Sequence, residues 1–237
     1  MGYPKVIGEF ETVAEIIRTG KSIARFGDGE IKAMEKGVYT RELVKNPLLQ
    51  AELRSTLRSP SSNLLIGIPT MDPKGDKYKN WSRSIDRYIP HFTGGPYYSA
   101  FITRPDCGTA WLETRAYYQA VVKIWEGKNP VAIVAEKVSK LAMAVKLTNT
   151  VVHIPCPMYG AYAQIDHLEK RVVDSKCAIA LLSCGVTATC LANRLAKRGI
   201  QAIDIGSIGG FLLRWRTGAP KPSDYSKERE NGPEDHA

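Results

Sequence analysis

Two carboxylate residues, Asp28 and Glu30, stand on either side of Gly29, directly after the first apolar segment of the chain. The glycine permits a sharp turn, so both carboxylates can converge on one hard divalent cation. Magnesium or manganese held in this way keeps several waters and shares the phosphate oxygens of a substrate. The same residues also fit the start of a helix, with Asp28 as the N-cap and Glu30 near the positive end of the helix dipole.

A second candidate site lies where a later apolar segment runs into small residues, among them Ser183, Gly185 and Thr187. The N–H groups of a helix N-terminus, together with hydroxyl side chains, bind phosphate. An ordinary strand-to-helix connection with Thr187 as the N-cap explains the pattern equally well. A third interpretation is an adenosine site built on Gly185, with Asp204 binding the ribose, although the G-x-G-x-x-G pattern is missing.

A third candidate site is formed by Arg104 and Asp106, which follow another apolar segment. A guanidinium can clamp a diphosphate through paired hydrogen bonds, and the aspartate can act as a base or bind a sugar hydroxyl. The alternative is a surface Arg–Asp pair in a turn, which is the commoner situation for a single pair.

Residues 72–91 combine basic with aromatic side chains, as in proteins that bind single-stranded nucleic acid or another extended polyanion. A solvated loop followed by an amphipathic helix is the alternative. The residues concerned are Lys74, Lys77, Tyr78, Lys79, Trp81, Arg83, Arg87 and Tyr88. The chain contains no G-x-S-x-G, Walker A or H-E-x-x-H pattern, which argues against several large enzyme classes.

The apolar segments that carry these residues alternate with amphipathic ones along almost the whole chain. Strands are predicted over residues 22–26, 63–68, 97–102, 130–135, 150–154, 177–182 and 201–205. Helices are predicted over residues 10–18, 31–36, 47–57, 81–88, 109–125, 139–147, 161–173 and 187–197. Strands that are apolar throughout are buried on both faces, which is typical of parallel sheets. We therefore expect a Rossmann-like α/β fold, with a mostly parallel sheet flanked by helices.

Composition limits the class of protein. In 237 residues, 43% hydrophobic and 24% charged side chains are typical of a globular chain and exclude a disordered or collagen-like one. The most apolar window, residues 178–192, is too short and too polar to span a membrane, and no apolar signal segment is present. The five cysteines form no C-x-x-C pair, so neither a zinc site nor a redox pair is indicated, and a cytoplasmic location is expected.

A single domain is expected over residues 1–216, followed by a loose, charged, proline-containing tail over residues 217–237. The tail holds three basic and five acidic side chains, so the body carries a net charge of +11 although the whole chain carries +9. A basic body favours an anionic ligand.

Three motifs, taken in order, resemble those of the bacterial GT-D-fold glycosyltransferases, first grouped as domain of unknown function 1792. The motifs lie at residues 25–30, 101–106 and 185–189, the last being followed by residues 199–206. The resemblance implies a Rossmann-like domain that uses a nucleotide-diphosphate sugar together with Mn²⁺ or Mg²⁺, and a UDP-sugar is the expected donor. The D-x-E motif of the family falls on Asp28 and Glu30, which would bind the metal.

The resemblance implies that the chain transfers a hexose to an acceptor hydroxyl on a glycan or glycoprotein. The metal neutralises charge on the departing nucleotide, and a carboxylate, either Asp106 or Asp204, activates the acceptor hydroxyl. The residues expected to bind the nucleotide sugar are Arg25, Gly27, Gly29, Arg104, Ser183, Gly185 and Thr187.

The chain departs from the family pattern after Asp204, where a Gly-His pair and a further acidic residue are usual. Residues 206–210 read Gly-Ser-Ile-Gly-Gly instead, and a changed acceptor is the interpretation we prefer. Two alternatives stay open. One is the same chemistry with a nucleic-acid acceptor, such as a modified base. The other is an S-adenosylmethionine-dependent methyltransferase or a nucleotide-binding module built on Gly185 and Asp204.

Overall fold

Eight strands form one sheet in a computed structural model that describes residues 2–36, 45–70, 85–105 and 115–218. The strands are β1 (Val6–Ile7), β2 (Ser22–Arg25), β3 (Leu64–Ile68), β4 (Tyr97–Ser99), β5 (Val131–Ala135), β6 (Val151–Pro155), β7 (Ile179–Ser183) and β8 (Ala202–Asp204). Their order in the sheet is β1-β4-β3-β2-β8-β7-β5-β6, and every neighbouring pair is parallel. The predicted Rossmann-like parallel α/β fold is confirmed.

Nine α-helices of the described residues connect and flank these strands. They are α1 (Glu9–Thr19), α2 (Asp28–Lys36), α3 (Pro47–Arg58), α4 (Ile85–Tyr88), α5 (Arg115–Val122), α6 (Lys140–Lys146), α7 (Ile165–Asp174), α8 (Val186–Lys197) and α9 (Gly209–Thr217). No helix of the described ranges is long and apolar enough to cross a membrane.

The sheet separates two hydrophobic cores, which explains why most positions in its strands are apolar. Along β3, Leu64 and Ile66 face one core while Leu65 faces the other, because successive side chains of a strand point to opposite faces. The first core packs against α2, α3, α7 and α8, and the second against α1, α5, α6 and α9.

The helices leave the sheet in opposite directions at the junction of β2 and β8. The chain continues from β2 into α2 on the first face, whereas it continues from β8 into α9 on the second face. A crevice forms outside the carboxyl ends of parallel strands at such a switch point, and ligands of open α/β sheets bind there. The turn that carries Asp28 and Glu30 begins at this junction.

Several boundaries differ from the predictions for local reasons. The strand predicted over residues 97–102 ends at Ser99, whose hydroxyl accepts a hydrogen bond from the Phe101 N–H at 3.0 Å and starts a 3₁₀ helix over Ala100–Thr103. Strand β1 and helix α9 were not predicted from the sequence. The first is only two residues long, and the second begins with two glycines, which are poor helix formers. Residues 219–237, most of the predicted tail, lie outside the described residues.

An ion-pair network joins α3, α7 and α8 on the first face. Arg194 of α8 contacts Glu52 Oε1 at 2.6 Å through Nε and Asp166 Oδ1 at 2.5 Å through Nη1, and Glu169 is 3.3 Å from the same Nη1. The side chains of Glu52 and Glu169 are only 19% and 12% exposed, so water screens their mutual repulsion weakly.

Arg194→Ala is expected to lower the free energy of unfolding by about 2–3 kcal/mol, because three carboxylates lose their common cation. Urea denaturation at pH 7 measures this loss. Lys170→Ala removes an exposed ion pair to Asp174 and serves as the control, with an expected change below about 0.5 kcal/mol. Equal effects of the two substitutions would contradict this assignment.

Candidate functional site

The D-x-E turn is built by the end of β2 and the first turn of α2. The Gly27 N–H donates a hydrogen bond to Glu30 Oε2 at 2.8 Å, so the glutamate caps the helix on which it stands. The turn is therefore a helix start, as the second sequence interpretation has it, and the convergence of the two carboxylates on a cation stays a prediction. Asp28 is the first residue of the helix rather than its N-cap.

The carboxylate of Asp28 is held between a phenol and an ammonium group. Oδ1 accepts a hydrogen bond from the Tyr88 hydroxyl at 2.8 Å, and Oδ2 lies 2.5 Å from Lys32 Nζ one turn further along α2. Burial and the nearby Asp28 carboxylate raise the pKa of Tyr88, so its hydroxyl stays protonated and donates. The Asp28 side chain is 41% exposed and is therefore accessible to a ligand.

The environment of Glu30 disfavours its negative charge. Removal from water raises the pKa of Glu30 to about 7, and the nearby Asp204 carboxylate adds to the rise. The Gly27 N–H and the Arg25 guanidinium act in the opposite direction. A divalent cation beside Glu30 would relieve this unfavourable charge.

Glu30→Gln is expected to stabilise the metal-free chain in a pH-dependent way. A carboxyl group whose pKa is raised by folding, here from 4.5 to about 7, lowers stability as the pH rises between these values, and the loss is complete above the higher one. Because Glu30 is only partly buried, we expect its replacement to raise the free energy of unfolding by about 1–2 kcal/mol at pH 8 and by a few tenths of a kcal/mol near pH 5. Thermal unfolding in EDTA at both pH values measures it, and a gain that is the same at both would contradict the shifted pKa.

Arg25 ties together three parts of the carboxyl edge. Its Nε donates to the Asp204 carbonyl oxygen at 2.7 Å, and its Nη2 donates to Asp204 Oδ1 at 2.9 Å. Nη1 donates to the Ala100 carbonyl oxygen at 3.1 Å and also to the Thr103 hydroxyl. Gly206 has a φ of +51°, and a Cβ there would collide with the guanidinium. A phosphate contact of Arg25, as predicted from the sequence, would have to compete with these bonds.

Asp204, a predicted base, lies at the end of β8 and is 2% exposed. Oδ1 accepts from Arg25 Nη2, while Oδ2 accepts from the Arg25 N–H at 3.2 Å and the Thr189 hydroxyl at 3.4 Å. These contacts favour a role in positioning Arg25 over one in proton transfer. They also count against the adenosine interpretation, because a ribose would need the same carboxylate oxygens.

The second candidate site lies at the N-terminus of α8, next to the D-x-E turn. Ser183 ends β7, and Gly185 is the N-cap, with a φ of +62°. Thr187 is not the N-cap; it lies within the first turn of α8. Its hydroxyl is buried and has no hydrogen-bond partner in the described part of the chain. A buried hydroxyl without a partner is costly, and a reorientation toward a bound phosphate would satisfy it.

The third candidate site is described only in part. Arg104 is half-buried and follows the 3₁₀ helix whose carbonyl and hydroxyl groups hold Arg25. The Arg104 N–H donates to the Phe101 carbonyl oxygen at 2.9 Å and closes that helix. Asp106, the other predicted base, lies outside the described residues, as do residues 71–84 of the basic aromatic stretch.

The donor chemistry of Asp28 and Glu30 fits Mg²⁺ or Mn²⁺. Carboxylate oxygens suit these hard cations, and a cation would offset the cost that removal from water places on the charged form of Glu30. Within the described residues, no group of three His, Cys, Asp or Glu side chains is placed to hold a metal. The remaining coordination positions would therefore fall to water and to phosphate oxygens of a substrate.

Sequence reasoning missed Tyr88 as a partner of Asp28 and α9 as a neighbour of the crevice. Tyr88 was included only in the basic aromatic stretch, because nothing in the sequence pairs it with a residue 60 positions away. The signal for α9 was the segment of residues 206–210, which was interpreted as a departure from a motif rather than as a helix start.

The chain matches the protein family described as Glycosyltransferase GT-D fold over residues 23–225. It belongs to that family. A solved structure, described as the highly conserved domain of unknown function 1792 with a distinct glycosyltransferase fold, superposes with a TM-score of 0.79 at 26% identity. The superposition covers 91% of this chain and 82% of that one. The resemblance drawn from the motifs is confirmed for the family and for its glycosyltransferase fold.

Two curated relatives of this GT-D chain are similar along most of its length. It is 26% identical over 245 residues to Glycosyltransferase GlyD of Streptococcus pneumoniae serotype 4. The aligned region covers 94% of this chain and 29% of that protein. It is 26% identical over 222 residues to the probable glycosyl transferase Gly of Streptococcus gordonii, covering 86% of this chain and 32% of that protein. The chain thus spans about a third of the length of these relatives.

Proposed function

We propose that this GT-D chain transfers a sugar from a nucleotide-diphosphate sugar, a UDP-sugar, to a hydroxyl group of a glycan or glycoprotein, with Mn²⁺ or Mg²⁺. The observation that carries the proposal is the position of the D-x-E turn. Asp28 and Glu30 follow β2 at the switch point of the sheet, and α8 packs against β2 and α2, with the Thr189 hydroxyl donating to the Arg25 carbonyl oxygen at 3.0 Å. Carboxylates suited to a cation and N–H groups suited to phosphate, at the same edge of the sheet, support the proposal.

Each part of the crevice has a distinct task in this proposal. Asp28 and Glu30 hold the divalent cation, which when bound supplies positive charge to the diphosphate. The N–H groups at the start of α8 and the Thr187 hydroxyl bind phosphate oxygens that the cation does not reach. Arg25 holds the ends of β2 and β8 in register and so fixes the turn. These groups stabilise the negative charge that develops on the departing nucleotide.

The acceptor side depends on residues 206–210 and on the region of Arg104. Asp106 is the candidate for the base that activates the acceptor hydroxyl, because the contacts of Asp204 engage both of its carboxylate oxygens. Ser207 is exposed at the start of the segment that replaces the Gly-His pattern, and a changed acceptor is consistent with this. The four described cysteines form no disulfide with one another, which supports the proposed cytoplasmic location.

A thermal-shift panel of nucleotide sugars, with and without Mn²⁺, tests the proposal. A matching sugar nucleotide at 100 times its dissociation constant should stabilise the chain by about 2.7 kcal/mol, only when Mn²⁺ is present. Asp28→Asn and Glu30→Gln should abolish the stabilisation. Asp174→Asn, which removes an equally short lysine–aspartate pair on α7, is the matched control and should retain it. Stabilisation that survives both substitutions at the turn would overturn the proposal.

The nucleic-acid acceptor is a weaker alternative in view of two described residues of the basic aromatic stretch. Arg87 contacts Glu35, and Tyr88 contacts Asp28, so both are directed at α2. The basic charge of the body keeps this alternative testable. DNA binding with a steep dependence on salt concentration would support it, and an absence of binding at low salt would exclude it.

A further inference from the structure

We infer that Tyr88 positions the Asp28 carboxylate for a divalent cation, and that Lys32 occupies the cation's place until it binds. The inference rests on the proposed function, because it takes Asp28 to be a metal ligand. In this arrangement Asp28 Oδ1 bonds to Tyr88, and Asp28 Oδ2 is the oxygen that would bind the cation.

Tyr88 is rigidly held. Its side chain is 1% exposed, and its ring stacks on Phe92 with a centroid distance of 6.4 Å and an interplanar angle of 7°. Phe92 packs in turn against Tyr97 and Tyr3 at 5.7 and 6.0 Å. The hydroxyl therefore reaches Asp28 Oδ1 from a fixed direction. Partners of this kind, which orient a metal-binding side chain, strongly affect metal affinity.

The segment that carries Tyr88 is also attached to the far end of α2. Arg87 pairs with Glu35, and His91 Nε2 lies 3.2 Å from Glu35 Oε1. Asp28 begins α2, and Glu35 lies near its end, so residues 85–91 contact the helix at two separate points. Two attachments prevent the segment from pivoting, which keeps the phenol hydroxyl beside Asp28.

Lys32 is placed differently. Its Nζ lies 2.5 Å from Asp28 Oδ2, and the two side chains are 45% and 41% exposed. An exposed ion pair one helical turn apart contributes only a few tenths of a kcal/mol, so a divalent cation would displace the ammonium group readily. Oδ1 would meanwhile keep its hydrogen bond to Tyr88. The two neighbours of Asp28 thus have opposite effects on cation binding.

Titration with Mn²⁺, followed by the EPR signal of the free ion, tests both roles without a sugar substrate. Tyr88→Phe should weaken Mn²⁺ binding about tenfold. Lys32→Met should tighten it about threefold, because the competing charge is lost while the apolar stem is kept. Tyr97→Phe is the matched control. It removes a hydroxyl of the same aromatic cluster that accepts from the Gly94 N–H at 3.0 Å, and it should leave Mn²⁺ binding unchanged.

The outcomes separate this inference from the proposed function. Unchanged binding in Tyr88→Phe, or an equal loss in Tyr97→Phe, would overturn the role of Tyr88. Weaker binding in Lys32→Met would overturn the role of Lys32. The proposed metal site itself fails if the unaltered chain binds no Mn²⁺ or if Asp28→Asn binds it normally. Tyr88→Phe should also raise the Mn²⁺ concentration that gives half-maximal sugar transfer, an effect that a loss of stability alone would not produce.

Discussion

Arg25→Ala is expected to lower the free energy of unfolding by about 3–5 kcal/mol, the largest effect of any single substitution considered. The substitution leaves the Asp204 carboxylate, 2% exposed, without its cation, and it also removes the bonds to Ala100 and Thr103. A buried charge without a partner costs far more than the net contribution of the pair itself. Urea denaturation at pH 7 measures the change.

Arg18→Ala is the control for Arg25→Ala, because Arg18 pairs with Glu15 on the surface of α1 and its side chain is 71% exposed. Its expected effect is below about 0.5 kcal/mol. The double variant Arg25→Met with Asp204→Asn should recover part of the loss, since no unpaired charge remains. A loss in the free energy of unfolding for Arg25→Ala no larger than that for Arg18→Ala would contradict a stabilising role of the guanidinium contacts.

Asp28→Asn is expected to lower the rate of sugar transfer at least about 100-fold, with little effect on stability. An amide lacks the negative charge that holds a divalent cation, and loss of one preorganised electrostatic group costs 10²–10³ in rate. The Asp28 side chain is 41% exposed, and the amide oxygen of asparagine can still accept the hydrogen bond of the buried Tyr88 hydroxyl, so the replacement leaves no unsatisfied buried group. The rate is measured as Mn²⁺-dependent release of nucleoside diphosphate from the sugar nucleotide that stabilises the chain best.

Asp174→Asn again provides the comparison for Asp28→Asn, because it changes the charge equally and lies on α7. It should transfer sugar at the rate of the unaltered chain. A rate for Asp28→Asn within about threefold of that value would contradict a metal-binding role for Asp28.

Most of the strands could be predicted because burial on both faces leaves a plain signal in the sequence. Leu64 to Ile68 are apolar on every position that has a side chain, and both cores require this. Strand β1 gave no such signal, since only Val6 and Ile7 pair with β4 at the edge of the sheet. Its position is decided by tertiary pairing rather than by a pattern of its own.

The D-x-E turn could be located from the sequence, but the partners of its residues could not. Asp28 and Glu30 are neighbours in the chain and follow a strand, so their type and place were visible. Arg25 and Asp204 are 179 positions apart, and no single-chain pattern pairs them. Arg25 was therefore assigned to a phosphate on the ground of its charge, whereas its bonds run to the protein.

The order of the strands also determines when the crevice can form. Strands β1 to β4 make one half of the sheet and β5 to β7 the other, and β8 alone joins them by pairing with β2 and β7. During synthesis, a nascent chain that ends before residue 202 therefore holds two half-sheets with open inner edges and lacks the carboxylate that anchors Arg25. Strand β8 joins the two half-sheets, so the binding site can form only after β8 has been synthesised.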